Sequence, residues 1–159
     1  MVKRLNQHIG QNGAAAVEFA IVLPLLLILV FGIVEFSILF YNKEMITNAS
    51  REGARAGIVL TETYDAGGNA VNETYDDIAS VATDKVDAYC KDYLITFDDV
   101  NTEPTVTVTP TGTGEPAAGD SLTVKVEYDY KFLFLPNFIS ALGGKLHLSA
   151  VTVMRMEGY

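Results

Sequence analysis

Residues 14–41 read AAAVEFAIVLPLLLILVFGIVEFSILFY, and this stretch decides how the chain is organised. Its only charged residues are Glu18 and Glu35. The 16 residues between them, Phe19 to Val34, are nearly all large and apolar. As a helix the stretch is about 42 Å long at roughly 1.5 Å per residue, enough to cross a hydrocarbon core of about 30 Å. Glu18 and Glu35 are roughly 25 Å apart on the same rise, so each falls near an edge of a bilayer and neither at its centre. A secretory signal peptide has an apolar core of about 7–15 residues with a small-residue cut site close behind. Here the run is longer, contains Pro24 and ends Phe40-Tyr41-Asn42-Lys43. The reading is a membrane-spanning helix that is retained.

The residues on either side narrow this further. Met1–Gly13, MVKRLNQHIGQNG, is short and polar, basic through Lys3 and Arg4, and ends in glycine. A cut after Gly13 would make Ala14 the new N-terminus and Glu18 the fifth residue. The combination of basic leader, Gly13, Glu18 and apolar helix resembles the processing site of a type IV prepilin. The tokens AAAVEFA, the LPLLL run, GIVEF with Glu35, and NASREGARAG with Arg51, Glu52, Gly53 and Arg55 extend the match. Over residues 10–59 the chain resembles TadE-like minor pilins of the tight-adherence (Tad/Flp) branch of type IV pilus systems. The major Flp pilins are much shorter, so the extra hundred residues favour a minor pilin.

The resemblance implies several things about the N-terminal third. A prepilin peptidase would cleave between Gly13 and Ala14. Glu18 would pair with the new amine of Ala14, on its own or a neighbouring subunit, neutralising two charges that are each costly in lipid or in a dry filament. Other pilins and an inner-membrane assembly platform are the implied partners. The placement is the inner membrane, single-pass, with the C-terminal head outside the cytoplasm, or an extracellular pilus after assembly. Charge does not decide that orientation, because Lys3 and Arg4 before the span face Lys43, Arg51 and Arg55 after it. Pro24 has no backbone N–H and crowds the carbonyl of Ala20, so a kink or loosened turn is expected there.

Past the bilayer the helix is expected to continue over 42–60. Glu44, Asn48, Arg51 and Arg55 fall on one face at helical spacing. Ala49, Gly53, Ala56 and Gly57 form a stripe of small residues where a neighbour can approach closely. The expected use is packing onto the chain's own head, with a subunit contact as the alternative, and with Arg51 and Arg55 in ion pairs.

Residues 61–159 read as an α+β head. Thr61–Glu73 is a polar loop around Gly67-Gly68. A helix follows from Thr74 to Leu94, opened by a capping box of Thr74 and Asp77. Tyr75, Ile78, Ala82, Val86, Tyr89 and Tyr93 share its apolar face. Cys90 borders that face and reads as a small core hydrophobe. Period-two alternation marks strands at Thr105–Thr109, Ser121–Phe132 and Lys145–Met156, and Ile95–Val100 is a candidate fourth. In the last long strand Leu146, Leu148 and Ala150 are out of phase with Val151 and Val153, which reads as a bulge or a two-sided strand. Phe132–Leu142, FLFLPNFISAL, is an apolar connection that caps the core, touches the membrane or contacts a subunit. The organisation is a leader (1–13), a spanning helix (14–41), its continuation (42–60) and a head with a three- to four-stranded antiparallel sheet.

Composition excludes other classes. The chain has 159 residues, with 11 Lys+Arg against 20 Asp+Glu. Residues 60–159 hold six basic and 16 acidic residues, a poor surface for the phosphates of nucleic acid. One cysteine allows no intrachain disulfide, CxxC pair or cysteine-rich zinc site. His147 is the single histidine beyond the leader, and with Cys90 on a helix no Cys–His pair is apparent. Gly112, Gly114 and Gly119 do not form a phosphate-cradling fingerprint. Asp76-Asp77 and Asp98-Asp99 lack EF-hand spacing and suggest at most a weak Ca²⁺ site. No enzymatic activity and no cofactor are expected. The competing reading is an unprocessed, single-pass membrane-anchored binding or adhesion module.

Overall fold

The computed structural model describes residues 9–59, 63–64, 70–71, 74–97, 103–112, 116–133 and 145–156. Helix α1 runs from Ile9 to Gly57, 49 residues without interruption, or about 74 Å. It is rich in Ala and Leu, which lose little side-chain freedom in a helix. Pro24 forfeits its own backbone bond, yet the helix continues through it. The first described turn begins at Ile9, so Gly13 and Ala14 lie inside the helix and not ahead of it.

Burial divides α1 in two. Among residues 13–34 none is buried. From Glu35 a buried stripe begins: Glu35, Leu39, Asn42, Ile46, Ala49 and Gly53, at alternating steps of four and three. That spacing keeps one face of a helix against one surface. The opposite face carries the exposed Glu44, Arg51 and Arg55, with Asn48 half-buried.

Helix α2 spans Tyr75–Tyr93. Its start is the expected capping box: Asp77 N donates to Thr74 Oγ1 at 3.3 Å, and Thr74 N donates to Asp77 Oδ2 at 2.9 Å. The buried face is Ile78, Ala82, Val86 and Cys90, at steps of four. Tyr93, expected on that face, is half exposed, and Cys90 takes its place.

Residues β1 (Thr63–Tyr64) and β2 (Ala70–Val71) form a small antiparallel pair, so the stretch expected to be loop carries a short ladder. The main sheet has the order β3-β4-β5, with β3 at Thr105–Pro110, β4 at Ser121–Lys131 and β5 at Lys145–Arg155. Both pairings are antiparallel. Alternation along β4 sends Leu122, Val124, Val126, Tyr128 and Tyr130 into the core and Thr123, Lys125, Glu127 and Asp129 outward. Helix α1 lies across β4 and β5, α2 lies beside β3, and the two helices pack on each other. The result is a two-layer α+β head whose first helix projects far beyond it.

Two open readings are decided. The β4–β5 register runs unbroken from Ser121↔Arg155 to Lys131↔Lys145, so there is no bulge. Of the two readings of β5, the two-sided strand is the one found: Val151 and Val153 point away from the helices and stay exposed. Residues 95–97 form no strand, because the N–H and C=O of Ile95 are both used by the side chain of Asn42. Residues 98–100 lie outside the described residues, as do residues 134–142 of the apolar connection.

Candidate functional site

The features that bear on function lie along α1. The first is the bare segment. Residues 14–34 number 21, about 31 Å of helix, which matches a hydrocarbon core of about 30 Å. Helix α1 is long and apolar enough to cross a membrane, and none of its most apolar window is buried by the rest of the chain. Ala14, Glu18 and Pro24 sit on this segment and Gly13 directly before it, all exposed, and no described residue of the head reaches them.

The second is the junction. Glu35 is fully buried. Its Oε1 accepts a hydrogen bond from Tyr130 Oη at 2.6 Å and another from Leu133 N at 2.9 Å. The sequence read Glu35 as an acid near the edge of a bilayer and gave no sign of its partners in the head. In the structure the end of β4 folds over it. Burial, and next the Glu35 carboxylate, push the Tyr130 phenol well above its ordinary pKa, so it remains a donor.

Two further polar residues continue the stripe toward the head's far end. Asn42 donates through Nδ2 to Ile95 O at 2.7 Å and accepts from Ile95 N at 3.0 Å. Ser50 Oγ lies 2.7 Å from Thr152 Oγ1 and donates to Thr47 O at 2.8 Å. Lys43 Nζ donates to the backbone carbonyl of Ser149 on β5. Buried polar groups are costly unless partnered, and the buried Glu35, Asn42 and Ser50 are all partnered across α1 and the head. The reading of the sequence missed them, although Glu35, Asn42 and Ala49 share one face at steps of seven.

The third is the small-residue seam. Ala49, Gly53, Ala54 and Gly57 are buried. A Cβ at Gly53 would lie 2.5 Å from Val86 Cγ2 and 2.9 Å from Ala82 O; one at Gly57 would lie 2.5 Å from Leu122 Cδ2. The seam therefore packs α1 onto α2 and β4, with Ala54 buried in it and the expected Ala56 only half-buried. Ion pairs do not form as expected: Arg51, Glu52 and Arg55 are exposed, and none pairs among the described residues.

Away from α1, the open face of the sheet carries a charged cluster. His147 Nδ1 lies 2.9 Å from Asp129 Oδ1, and Nε2 lies 3.1 Å from Glu127 Oε1. Both ring nitrogens can donate only as imidazolium. The bonds to Asp129 and then Glu127 accordingly raise the His147 pKa. Glu127 is held below its ordinary range by Lys125, at 2.8 Å, and by His147. Among the described residues no group of three or more His, Cys, Asp or Glu is arranged to hold a metal ion. Asp77 is committed to the helix cap, and Asp98-Asp99 lies outside the described residues. Cys90 is buried, and burial followed by Asp87 pushes its thiol up to about 11, the setting of an inert core residue.

The family model of TadE-like proteins matches residues 13–55. The match covers the bare segment, the junction and most of the seam, and it agrees with the resemblance read from the sequence tokens. No curated protein and no solved structure matches the chain.

Proposed function

We propose, from the TadE-like character of residues 13–55, that this chain is a minor pilin of a tight-adherence pilus system. It is processed after Gly13 by a prepilin peptidase and assembled through its N-terminal helix, to initiate, cap or modulate the pilus in adhesion or secretion. The observation that carries the reading is the continuity of one helix. An apolar segment of membrane length, with Glu18 five residues past Gly13, runs directly into a stalk that the head grips. Such a helix transmits the position of the segment to the head without a flexible joint.

In this reading Ala14 supplies the new amine and Glu18 its counter-charge. The helix lies in the inner membrane with the head outside the cytoplasm, until other pilins and the assembly platform draw it into a filament. The chain acts by packing and not by catalysis. The competing reading is a membrane-anchored binding module that keeps its leader. N-terminal sequencing and intact mass of the protein from cells with and without prepilin peptidase separate the two. A start at Ala14 that depends on the peptidase is expected. A start at Met1 in both strains would leave the anchored module.

A further inference from the structure

We propose that the face of α1 opposite the head is a contact surface for a second copy of this chain, parallel to the first and displaced along it by two to three helical turns; this rests on the reading that the chain assembles through its N-terminal helix. Phe36, Phe40, Tyr41, Glu44, Arg51 and Arg55 recur at helical spacing and share one side of α1. All six are exposed. The head lies on the other side, where Glu35, Leu39, Asn42, Ile46 and Ala49 are buried. The lower part of the exposed face is aromatic: Phe36 is 54%, Phe40 64% and Tyr41 39% exposed. Its upper part is charged. Glu44, Arg51 and Arg55 form no ion pair among the described residues. Arg51 and Arg55 also stand one turn apart, where like charges weaken a helix.

The order of charges on this face points to the partner and its register. In two parallel copies at equal height Glu44 meets Glu44, Arg51 meets Arg51 and Arg55 meets Arg55, and like charges across an interface oppose association. Moving one copy outward by about seven to eleven residues, roughly 10–16 Å, brings its Glu44 level with Arg51 and Arg55 of the inner copy. One carboxylate then faces two guanidinium groups. A single exposed ion pair contributes little, so the charges act on register more than on affinity. The same displacement matches the apolar segments. It sets the bare Leu26, Val30 and Ile33 of the outer copy at the height of Phe36, Phe40 and Tyr41 of the inner one. Apolar surface that has left the lipid is thereby covered by the aromatic face of the copy still anchored. The displacement also carries Glu18 of the outer copy into the hydrocarbon, where a lone carboxylate is costly and pairing with an Ala14 amine offsets the cost. The staggered pair is therefore a state of assembly, in which one chain is drawn outward past another.

Disulfide cross-linking of the full-length protein, in cells that hold the complete pilus system, tests the pairing. Ser37, Phe40 and Asn48 lie on the same face outside the charged set. Asn48→Cys on one tagged chain is produced together with Ser37→Cys or Phe40→Cys on a chain of different tag, and the two combinations sample the upper and lower parts of the stagger. The native Cys90 is buried and does not compete. In at least one combination the mixed disulfide is expected to exceed both like-with-like products about fivefold, because equal heights stack like charges. Adding Glu44→Arg to both chains is expected to remove most of the mixed product, and adding Arg51→Glu and Arg55→Glu as well is expected to restore it. The N-terminal residue is read in the same samples. With Ala14 at the N-terminus, the absence of a mixed disulfide in both combinations, a like-with-like excess, or a mixed product indifferent to charge reversal would each overturn the pairing and leave the pilin reading intact. An N-terminus still at Met1 would overturn the pilin reading, and the pairing with it.

Discussion

Glu35 shows how much a single side chain can settle. A carboxylate at the edge of an apolar run carries no sign of its partners in the sequence, and here it is buried and takes bonds from Tyr130 and Leu133. Removing one donor from a buried acceptor costs about 1–3 kcal/mol. Tyr130→Phe is therefore expected to lower the head's stability by that amount in detergent denaturation, with the fold kept. His147 makes a different kind of prediction. Its pKa is raised in the folded state, so its pairing stabilises the head fully below the unfolded value of about 6.5 and fades as pH rises through the folded value. By NMR the imidazole is expected to titrate above its ordinary value, and Asp129→Asn is expected to bring it down. His147→Ala is expected to lower the unfolding midpoint more near pH 5.5 than near pH 9. Neither carboxylate partner could be assigned from sequence, since both contacts cross from β5 to β4 and depend on register.

The elements follow local rules closely. Helix α2 begins at its cap because Thr74 and Asp77 satisfy each other's backbone, and Thr74→Ala is expected to cost about 1 kcal/mol. Gly53 and Arg55 sit two residues apart on α1 and should differ sharply. Gly53→Ala drives a methyl into Val86 and the Ala82 carbonyl, and overpacking of this kind costs about 1–3 kcal/mol. Arg55→Ala touches nothing described and is expected to stay within about 0.5 kcal/mol. Urea or thermal unfolding of the two variants checks the pair. The seam was legible in the sequence because small residues at helical spacing have few other uses. The expected pairs at Arg51 and Arg55 are absent among the described residues, because a solvated face offers long side chains no fixed partner. The strands were legible through period-two alternation, whereas residues 95–97 of the candidate fourth strand form none, because Asn42, 53 residues away, takes up the backbone of Ile95.

At the scale of the molecule, one helix serves two environments. Residues 14–34 are bare, and residues 35–57 form part of the head's core. A chain starting at Glu35 is therefore expected to fold as a head with a nearly unchanged melting temperature. One starting at Lys43 loses Glu35, Leu39 and Asn42 and should melt several degrees lower; circular dichroism compares them. The amino-acid sequence by itself determined the apolar segment, the small-residue seam, the capped helix and the alternating strands. These depend on periodicities of a few residues and on local hydrogen bonding. Only the tertiary structure decided where the head begins to grip the helix, which acids are buried, and which end of the sheet lies beside the span. Those outcomes rest on contacts such as Glu35 with Tyr130 and Ser50 with Thr152, separated by 95 and 102 positions. Which distant groups meet is set by how sheet and helices stack, and no local pattern carries that information.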